Sequence, residues 1–400
     1  MENYTIDTIS QDKLNVRNKR RSNIFTWRGQ FTPDFVSYIL EEYANSGELI
    51  ADPFSGSGTV AMEALSRGMD CITYEINPSA FYMTSFYSYC RLDIEERREL
   101  IKEIVESVIP IIKTIRSNES VYLSNEKEYR IAFHSLLELA KRISASKLPD
   151  KYLPYIINVL FRCEKDRKIT LRESVLKNFI GMKSLLLSLP ESDNDFRPNL
   201  ADARLMGDKN KNCIDVILSS PPYINVFNYH QNYRGIIECF DYDILRIAHS
   251  EIGSNRKNRT NRFRTVVEYA IEIGHVLNSC SEAMKSGAKL IFVVGRESMV
   301  RKTPFYNSKI ITDLLSINPS YTLKDILVRQ FRNRFGEEIY EDIIIAEKTG
   351  LTLGSEDDFK NIGLNHIESA IDYASKDVID DLKDVVKNNQ SIHESKIYTI

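Results

Sequence analysis

Eight residues, Asp52-Pro53-Phe54-Ser55-Gly56-Ser57-Gly58-Thr59, limit the fold of this chain more than any others. The apolar run Leu49-Ile50-Ala51-Asp52 leads into them and ends in an acid, as a buried parallel strand can. Thr59 to Arg67 follows with apolar residues at helical spacing, and Gly68 stops it. Met69 to Glu75 predicts a second strand, and Asn77-Pro78 opens another helix. The product is a β-α-β unit of about 25 residues, slightly shorter than the usual unit. Its first strand runs into the glycine-rich turn, and its second closes on Glu75, twenty-three residues after Asp52. An acid about 20 residues beyond such a turn stands where a ribose hydroxyl pair is held.

Gly56 and Gly58 let the backbone approach a ligand with no Cβ in the way. The amides at the following helix start favour a carboxylate or a phosphate. No Gly-Lys-Ser/Thr follows, which disfavours a triphosphate loop, and the third glycine of a dinucleotide fingerprint is missing. Asp52 suits a ligand with a positive amino group. A zwitterionic amino acid joined to a nucleoside, as in S-adenosylmethionine, satisfies all three demands; the alternative is a tight turn with no ligand.

The rest of the chain narrows the class. Four hundred residues allow one large domain with an insertion, or two or three ordinary ones. Hydrophobic residues at 42% and charged residues at 27% exclude a wholly disordered chain or a coiled-coil rod. No run of about 18 apolar residues predicts a membrane span, and the N-terminus lacks an apolar signal core. The six cysteines form no Cys-x-x-Cys pair and the histidines no His-Glu-x-x-His helix, so neither a disulfide framework nor a metal site is expected. A cytoplasmic location follows as an expectation. The net charge of −3 is unevenly spread: residues 351–400 carry ten acids against five lysines, leaving the remainder mildly positive.

From about Leu92 to Leu189 the pattern becomes helical, with apolar residues at i, i+3 and i+4 and a single glycine, Gly181. The α/β pattern returns at Ala201-Asp202-Ala203-Arg204. Ile214 to Leu218 predicts a buried strand, Val267 to Met284 a helix, Lys285 to Ala288 a turn and Lys289 to Val294 a strand. Leu327 to Asn333 and Ile339 to Ala346 predict a hairpin around Gly336. The last fifty residues predict one or two surface helices and a frayed end. The fold class is α/β, with one α/β domain over 1–90 and 200–348, a helical insertion over 91–199 that reads as a recognition region or a cap, and an acidic helical tail over 349–400.

The strand at 214–218 runs directly into Ser220-Pro221-Pro222-Tyr223. Two consecutive prolines have fixed φ and no N–H, so this loop is stiff and presents carbonyls only. That suits a site that accepts hydrogen bonds from an exocyclic amine. An aromatic amine is a poor nucleophile because its lone pair is delocalised into the ring. Hydrogen bonds from it to the Ser220 hydroxyl and the Pro221 carbonyl return density to nitrogen, and Tyr223 can stack on the base. A base treated in this way must leave its duplex.

Together these motifs resemble those of the amino-group DNA methyltransferases that use S-adenosylmethionine. Asp52 to Thr59 is similar to their cofactor motif, and Ser220 to Tyr223 to their catalytic motif, in the serine form more typical of N4-cytosine than of N6-adenine enzymes. Trp27-Arg28-Gly29-Gln30-Phe31-Thr32-Pro33 resembles the segment that packs over the cofactor's methionine end, and Asp202 stands where the family holds the adenine amino group. The resemblance implies a Rossmann-like methyltransferase whose mostly parallel seven-stranded sheet is closed by the late antiparallel hairpin. It implies cofactor contacts from Arg28, Phe31, Thr32, Asp52, Pro53, Phe54, Gly56, Ser57, Gly58, Thr59, Glu75, Ile76, Asp202 and Ala203, and catalysis by Ser220, Pro221, Pro222 and Tyr223. One departure favours the other base: the catalytic motif follows the cofactor motif here, an order more common among adenine enzymes.

Nucleic-acid contacts are expected from Asn228, Tyr229, Tyr233 and Arg234, just past the catalytic motif, and from Arg256, Lys257, Arg259 and Arg262, among asparagines and a serine. The second cluster reads equally as a solvated loop, and Arg17, Lys19, Arg20 and Arg21 as a phosphate-touching arm or a solvated one. His230 is read as a loop residue. The activity implied is site-specific N4-cytosine methylation of double-stranded DNA, as the protective half of a restriction-modification system with a cognate endonuclease as partner. The alternatives are an N6-adenine enzyme, an RNA guanine-N2 methyltransferase and a non-catalytic nucleic-acid-binding protein.

Overall fold

The computed structural model of the protein describes residues 9–16, 19–114, 126–166, 169–224, 229–254, 260–332 and 336–398. Its main sheet is built from β1 (Leu49–Asp52), β2 (Asp70–Glu75), β3 (Phe196–Leu200), β4 (Ile214–Ser219) and β5 (Met284–Gly295). A short ribbon of β6 (Ser298–Val300) and β7 (Thr303–Phe305) intervenes before β8 (Tyr321–Arg332) and β9 (Glu338–Lys348) complete it. The order is β3-β2-β1-β4-β5-β9-β8. The first five strands are parallel, while β9 runs antiparallel to both β5 and β8. This is a Rossmann-like methyltransferase sheet, and its strand order reverses between β1 and β4. In open parallel sheets that reversal leaves a crevice beyond the strands' carboxyl ends, where ligands bind.

Two apolar cores lie on the two faces. Phe35, Ile39, Val60 and Phe86 belong to one, together with the insertion helices Ile94–Ile112, Glu126–Ala145, Leu153–Lys165 and Leu171–Ser188. The other gathers around the helices Arg264–Ala283 and Asn307–Ile317. Local chemistry fixes the element ends. Gly58 caps the helix Thr59–Ser66 with φ +80°, and Asn77 caps Pro78–Ser85 by accepting from the Ser79 amide. Asp93 and Thr170 each form a reciprocal capping box with a glutamate three residues on.

Three expectations differ from what is found. The end of the predicted insertion is β3; it is an edge strand, where Pro198 and polar side chains are tolerated. The predicted turn at Lys285 to Ala288 lies inside β5 as an irregularity: Ile214 pairs Met284 but Val216 pairs Lys289, with Gly287 at φ +80° between. The acidic tail is not a surface appendage. Its helices Glu356–Ile371 and Ile379–Lys387 bury Phe359, Ile367, Leu382 and Val385 in the second core. Acidic residues hold the tail's outer face, whereas its inner face is apolar enough to pack. The approach is close: a Cβ on Gly274 would fall 2.2 Å from the Phe359 ring, so only glycine fits there.

The insertion is tied down by one cation. Arg97, 1% exposed, donates to the carbonyls of Tyr89, Cys90, Leu186, Leu189 and Pro190, which bracket the insertion at both ends. Replacing it orphans buried carbonyls and opens a cavity. Arg97→Leu is expected to cost about 3 kcal/mol or more of stability, against within about 0.5 kcal/mol for the exposed Arg98→Leu. Urea unfolding of the two variants checks this.

Candidate functional site

The carboxyl ends of β1 and β4 meet at the switch point through side chains. The Ser219 hydroxyl donates to Asp52 Oδ1 at 2.6 Å, and the Phe54 amide donates to the same oxygen at 3.1 Å. One turn further on, Glu75 accepts from the Gly56 amide at 2.9 Å and the Asn77 amide at 2.8 Å. The glycine turn is therefore pinned to the end of β2 as well as β1. Burial pushes the Asp52 carboxyl up to about 7 and the Glu75 carboxyl up to about 8 against the pull of their neutral donors, and the carboxylates of Glu251 and Asp52 add to the push on Glu75.

A single cleft above these strand ends is lined by Arg28, Phe31, Asp52, Pro53, Phe54, Gly56, Ser57, Thr59, Glu75, Ile76, Asp202, Ala203 and all four residues Ser220 to Tyr223. Two others expected there sit elsewhere. Thr32 turns to a neighbouring cavity, and Gly58 lies behind the turn, where a Cβ would meet Tyr87 at 2.7 Å. Asp202, 2% exposed, is held by Arg204, whose Nη2 lies 2.6 Å from its Oδ2. Arg204 in turn donates to Glu394 and to the Ser395 carbonyl, so the chain's last segment braces this end of the cleft. Glu272 completes the brace by accepting from the amides of Ser395 and Gly253.

The Ser220 and Tyr223 hydroxyls are hydrogen-bonded at 3.2 Å. Burial holds the Tyr223 phenol neutral by pushing it up to about 12. Its ring lies on the backbone of β5, where a Cβ on Gly295 would come within 2.9 Å of it. Tyr229, expected at the nucleic acid, instead lines the cleft with its ring stacked on Trp27 at 6.0 Å and 15°. Tyr233 is buried against Phe161, 4.2 Å between centroids, because the segment after the catalytic loop docks on the insertion. Arg234 pairs with Glu238 one turn along its own helix. Arg262 is exposed, but its neighbour Asn261 donates to the acidic helix at Asp381 and Asp384. Asn228, Arg256, Lys257 and Arg259 lie outside the described residues. Arg21 is exposed but already paired, with Asp34 and with buried Glu63.

Several cleft residues escaped the sequence reading. Trp27 covers the glycine turn, with Cδ1 3.1 Å from where a Gly56 Cβ would stand. Gln30 ties the Trp27 amide to the Ser57 hydroxyl, accepting both. Their signal was present, since both fall in the quoted segment 27–33. Ser250, Glu251 and Ile252 also line the cleft, and Glu251 is hydrogen-bonded to buried His230 at 3.0 Å. Nothing local in sequence marks these.

The donor set fits a cationic, hydroxyl-bearing nucleoside. Among the described residues no cation faces Asp52 or Glu75, and the Nδ2 of cleft-lining Asn77 is buried without a partner. No cluster among the described residues could hold a metal ion, and no helix there is long and apolar enough to cross a membrane.

Residues 5–86 match a family model described as DNA methylase, of the N6/N4 type. The chain is 22% identical over 406 residues to the type II methyltransferase M.MjaII of Methanocaldococcus jannaschii, covering 74% of this chain and 76% of that one. It is 23% identical over 283 residues to the type II methyltransferase M.BsoBI of Geobacillus stearothermophilus, covering 57% of this chain and 54% of the relative. Among solved structures, an S-adenosylmethionine-dependent methyltransferase from Methanosarcina mazei matches with a TM-score of 0.34 at 12% identity, over 78% of this chain and 97% of that one. These are similarities to DNA methyltransferases, the family match falling on the segment that carries the glycine turn, and they imply S-adenosylmethionine as the cofactor.

The raised carboxyls set a pH dependence. In the unliganded protein Asp52 carries a proton below about 7, and a cationic ligand requires it to lose that proton. Affinity for S-adenosylmethionine is therefore expected to fall as pH drops from 8 to 6, with proton release on binding. Calorimetry in two buffers of different ionisation enthalpy measures that release. Asp52→Asn should abolish most of the release and weaken binding at pH 8 by at least about tenfold, the order of one charged hydrogen bond.

Proposed function

We propose that the protein is a site-specific DNA methyltransferase that methylates the N4 amino group of a cytosine flipped from its duplex, as the modification enzyme of a restriction-modification system. The observation that carries this reading is the position of Ser220-Pro221-Pro222-Tyr223 at the end of β4, in the same cleft as Asp52 and Glu75. The type II names of the two relatives favour the setting.

When bound, S-adenosylmethionine supplies an electrophilic methyl group. On this reading Asp52 faces its amino group, Glu75 its ribose hydroxyls and Asp202 its adenine amino group. Trp27 and Phe31 cover its methionine end, while Arg28, Pro53, Phe54, Ser57, Thr59, Ile76 and Ala203 complete the walls. The target amine donates to the Ser220 hydroxyl and the Pro221 carbonyl, which keeps its lone pair on nitrogen and aimed into the cleft. Pro222 fixes the loop, and Tyr223 packs on the base. Toward the target Ser220 is an acceptor and not a nucleophile, because its hydroxyl is held by a neutral phenol and not by a base. The positive charge passes to the target nitrogen with the methyl group, and that nitrogen then sheds one proton to solvent past the Ser220 and Pro221 oxygens, so the chain contributes orientation and exclusion of water more than acid-base chemistry.

A second reading, N6-adenine methylation, is favoured by the order of the two motifs along the chain. The same cleft serves it, since both targets are exocyclic amines. Incubation with tritiated S-adenosylmethionine and unmethylated genomic DNA, followed by nucleoside analysis, separates them. Label is expected in N4-methylcytosine; label in N6-methyladenine selects the second reading, and absence of label in DNA overturns both. Tyr223→Ala is expected to lower turnover at least about a hundredfold with cofactor affinity within a few fold, as for loss of a group acting in the transition state. Equal loss of cofactor binding would remove Tyr223 from the target side of the cleft.

A further inference from the structure

A second cavity opens beside the cleft, across the segment Gly29–Phe31 that walls both. Arg329 of β8 and Glu341 of β9 lie deep in it, and exposed Lys19 and Arg332 stand at its edge. Arg329 is only 5% exposed, yet its bonding is incomplete. Nη1 donates to Glu341 at 2.9 Å, and Nη2 reaches the Thr32 hydroxyl only at 3.4 Å. Nε has no partner among the described residues. The guanidinium carbon lies 4.3 Å from the Phe35 ring centre and 4.7 Å from that of Phe331. Two aromatic rings therefore hold a desolvated cation whose donors are partly unspent. Burial works against both charges of the pair, lowering the Arg329 pKa and raising that of Glu341.

A buried pair of this kind is costly unless its remaining hydrogen bonds are made. An acceptor-rich anion makes them, and the planar fork of arginine matches the non-bridging oxygens of a phosphate. Lys19 is unpaired by any described carboxylate within ion-pair distance, and Arg332 only approaches Glu338 at 3.6 Å. The cavity is next to the catalytic loop: Arg329 and Glu341 both act electrostatically on the Tyr223 phenol. We propose that this cavity holds a backbone phosphate of the DNA strand beside the target nucleotide, with Arg329 as its buried donor and Lys19 and Arg332 as edge contacts. The inference rests on the DNA-methyltransferase reading given above.

The test measures binding of the full chain to unmethylated genomic DNA fragments between 50 and 200 mM salt. Each lost phosphate contact is expected to reduce the slope of log affinity against log salt by about one. Lys19→Ala with Arg332→Ala should therefore reduce it by about two, and Arg329→Met by about one. Cofactor affinity should stay within twofold in all, because none of the three lines the cofactor cleft. The double variant changes only exposed side chains, so it decides the matter if Arg329→Met does not fold. Unchanged slopes, with wild-type protein that binds and methylates DNA, overturn the phosphate site and leave the enzyme reading standing. Wild-type protein that neither binds nor methylates DNA overturns both. A slope change seen with single-stranded RNA and not with DNA overturns the proposed occupant.

Discussion

The hydrogen bond from Ser219 to Asp52 joins the two halves of the chemistry. It spans the place where the parallel strands reverse their order, at the floor of the cleft. Parallel pairing of Ala51 with Ile217 sets the register that brings the two side chains together. A slip of one residue would turn Asp52 to the opposite face and separate the glycine turn from the Ser220-Pro221-Pro222-Tyr223 loop. Because Ser219 is immediately followed by Ser220-Pro221-Pro222-Tyr223, that loop's origin is fixed relative to the glycine turn by a 2.6 Å contact, not by flexible packing.

Everything else at the site is arranged around that junction by segments remote in sequence. Trp27 and Gln30 close the glycine turn from the N-terminal side. Glu272 on the helix Arg264–Ala283 links Gly253 beside the cleft to Ser395 near the chain's end. Gly253 itself passes so close to the catalytic loop that a Cβ would lie 2.8 Å from the Tyr223 carbonyl. The segment 229–254 is held from two sides: the insertion buries Tyr233 against Phe161, and the helix Pro78–Ser85 supplies a hydrogen bond between Tyr82 and Tyr242. A segment supported in this way presents Tyr229, Glu251 and Ile252 to the cleft.

How much of this was legible depends on whether a feature is local. The β-α-β unit and the stiff proline loop were readable because each depends on neighbouring residues: a glycine at positive φ, a proline with no N–H, an acid closing a strand. β3 was not, because an edge strand can carry Pro198 and Arg197 without an apolar alternation. The tail was misjudged because its charge count describes one helix face and hides the other, where Phe359 and Leu382 pack. Tyr233 was expected at nucleic acid from the composition of its segment and its place just past Ser220-Pro221-Pro222-Tyr223, and neither distinguishes a strand contact from a packing residue. Arg21 shows the same limit, since its partners Asp34 and Glu63 are 13 and 42 residues away.

The cleft's carboxylates fall into two groups, and the division bears on why a serine heads the catalytic motif. Asp202 faces Arg204, and Glu251 is bonded to His230. Asp52 and Glu75 have only neutral donors and are pushed toward neutrality by burial. A cofactor with net positive charge is the natural complement to that second pair. A carboxylate in place of Ser220 would add another buried anion at the mouth of this cleft and raise the cost of ionising its neighbours. A hydroxyl avoids that cost and still accepts a hydrogen bond from an amine. Its link to the Tyr223 phenol leaves a lone pair for the amine when the Ser220 proton points to the phenol oxygen. The neutral motif and the uncompensated pair therefore suit one another: on the proposed reading a bound cation settles the charge of the cleft, and a target amine meets acceptors that carry none.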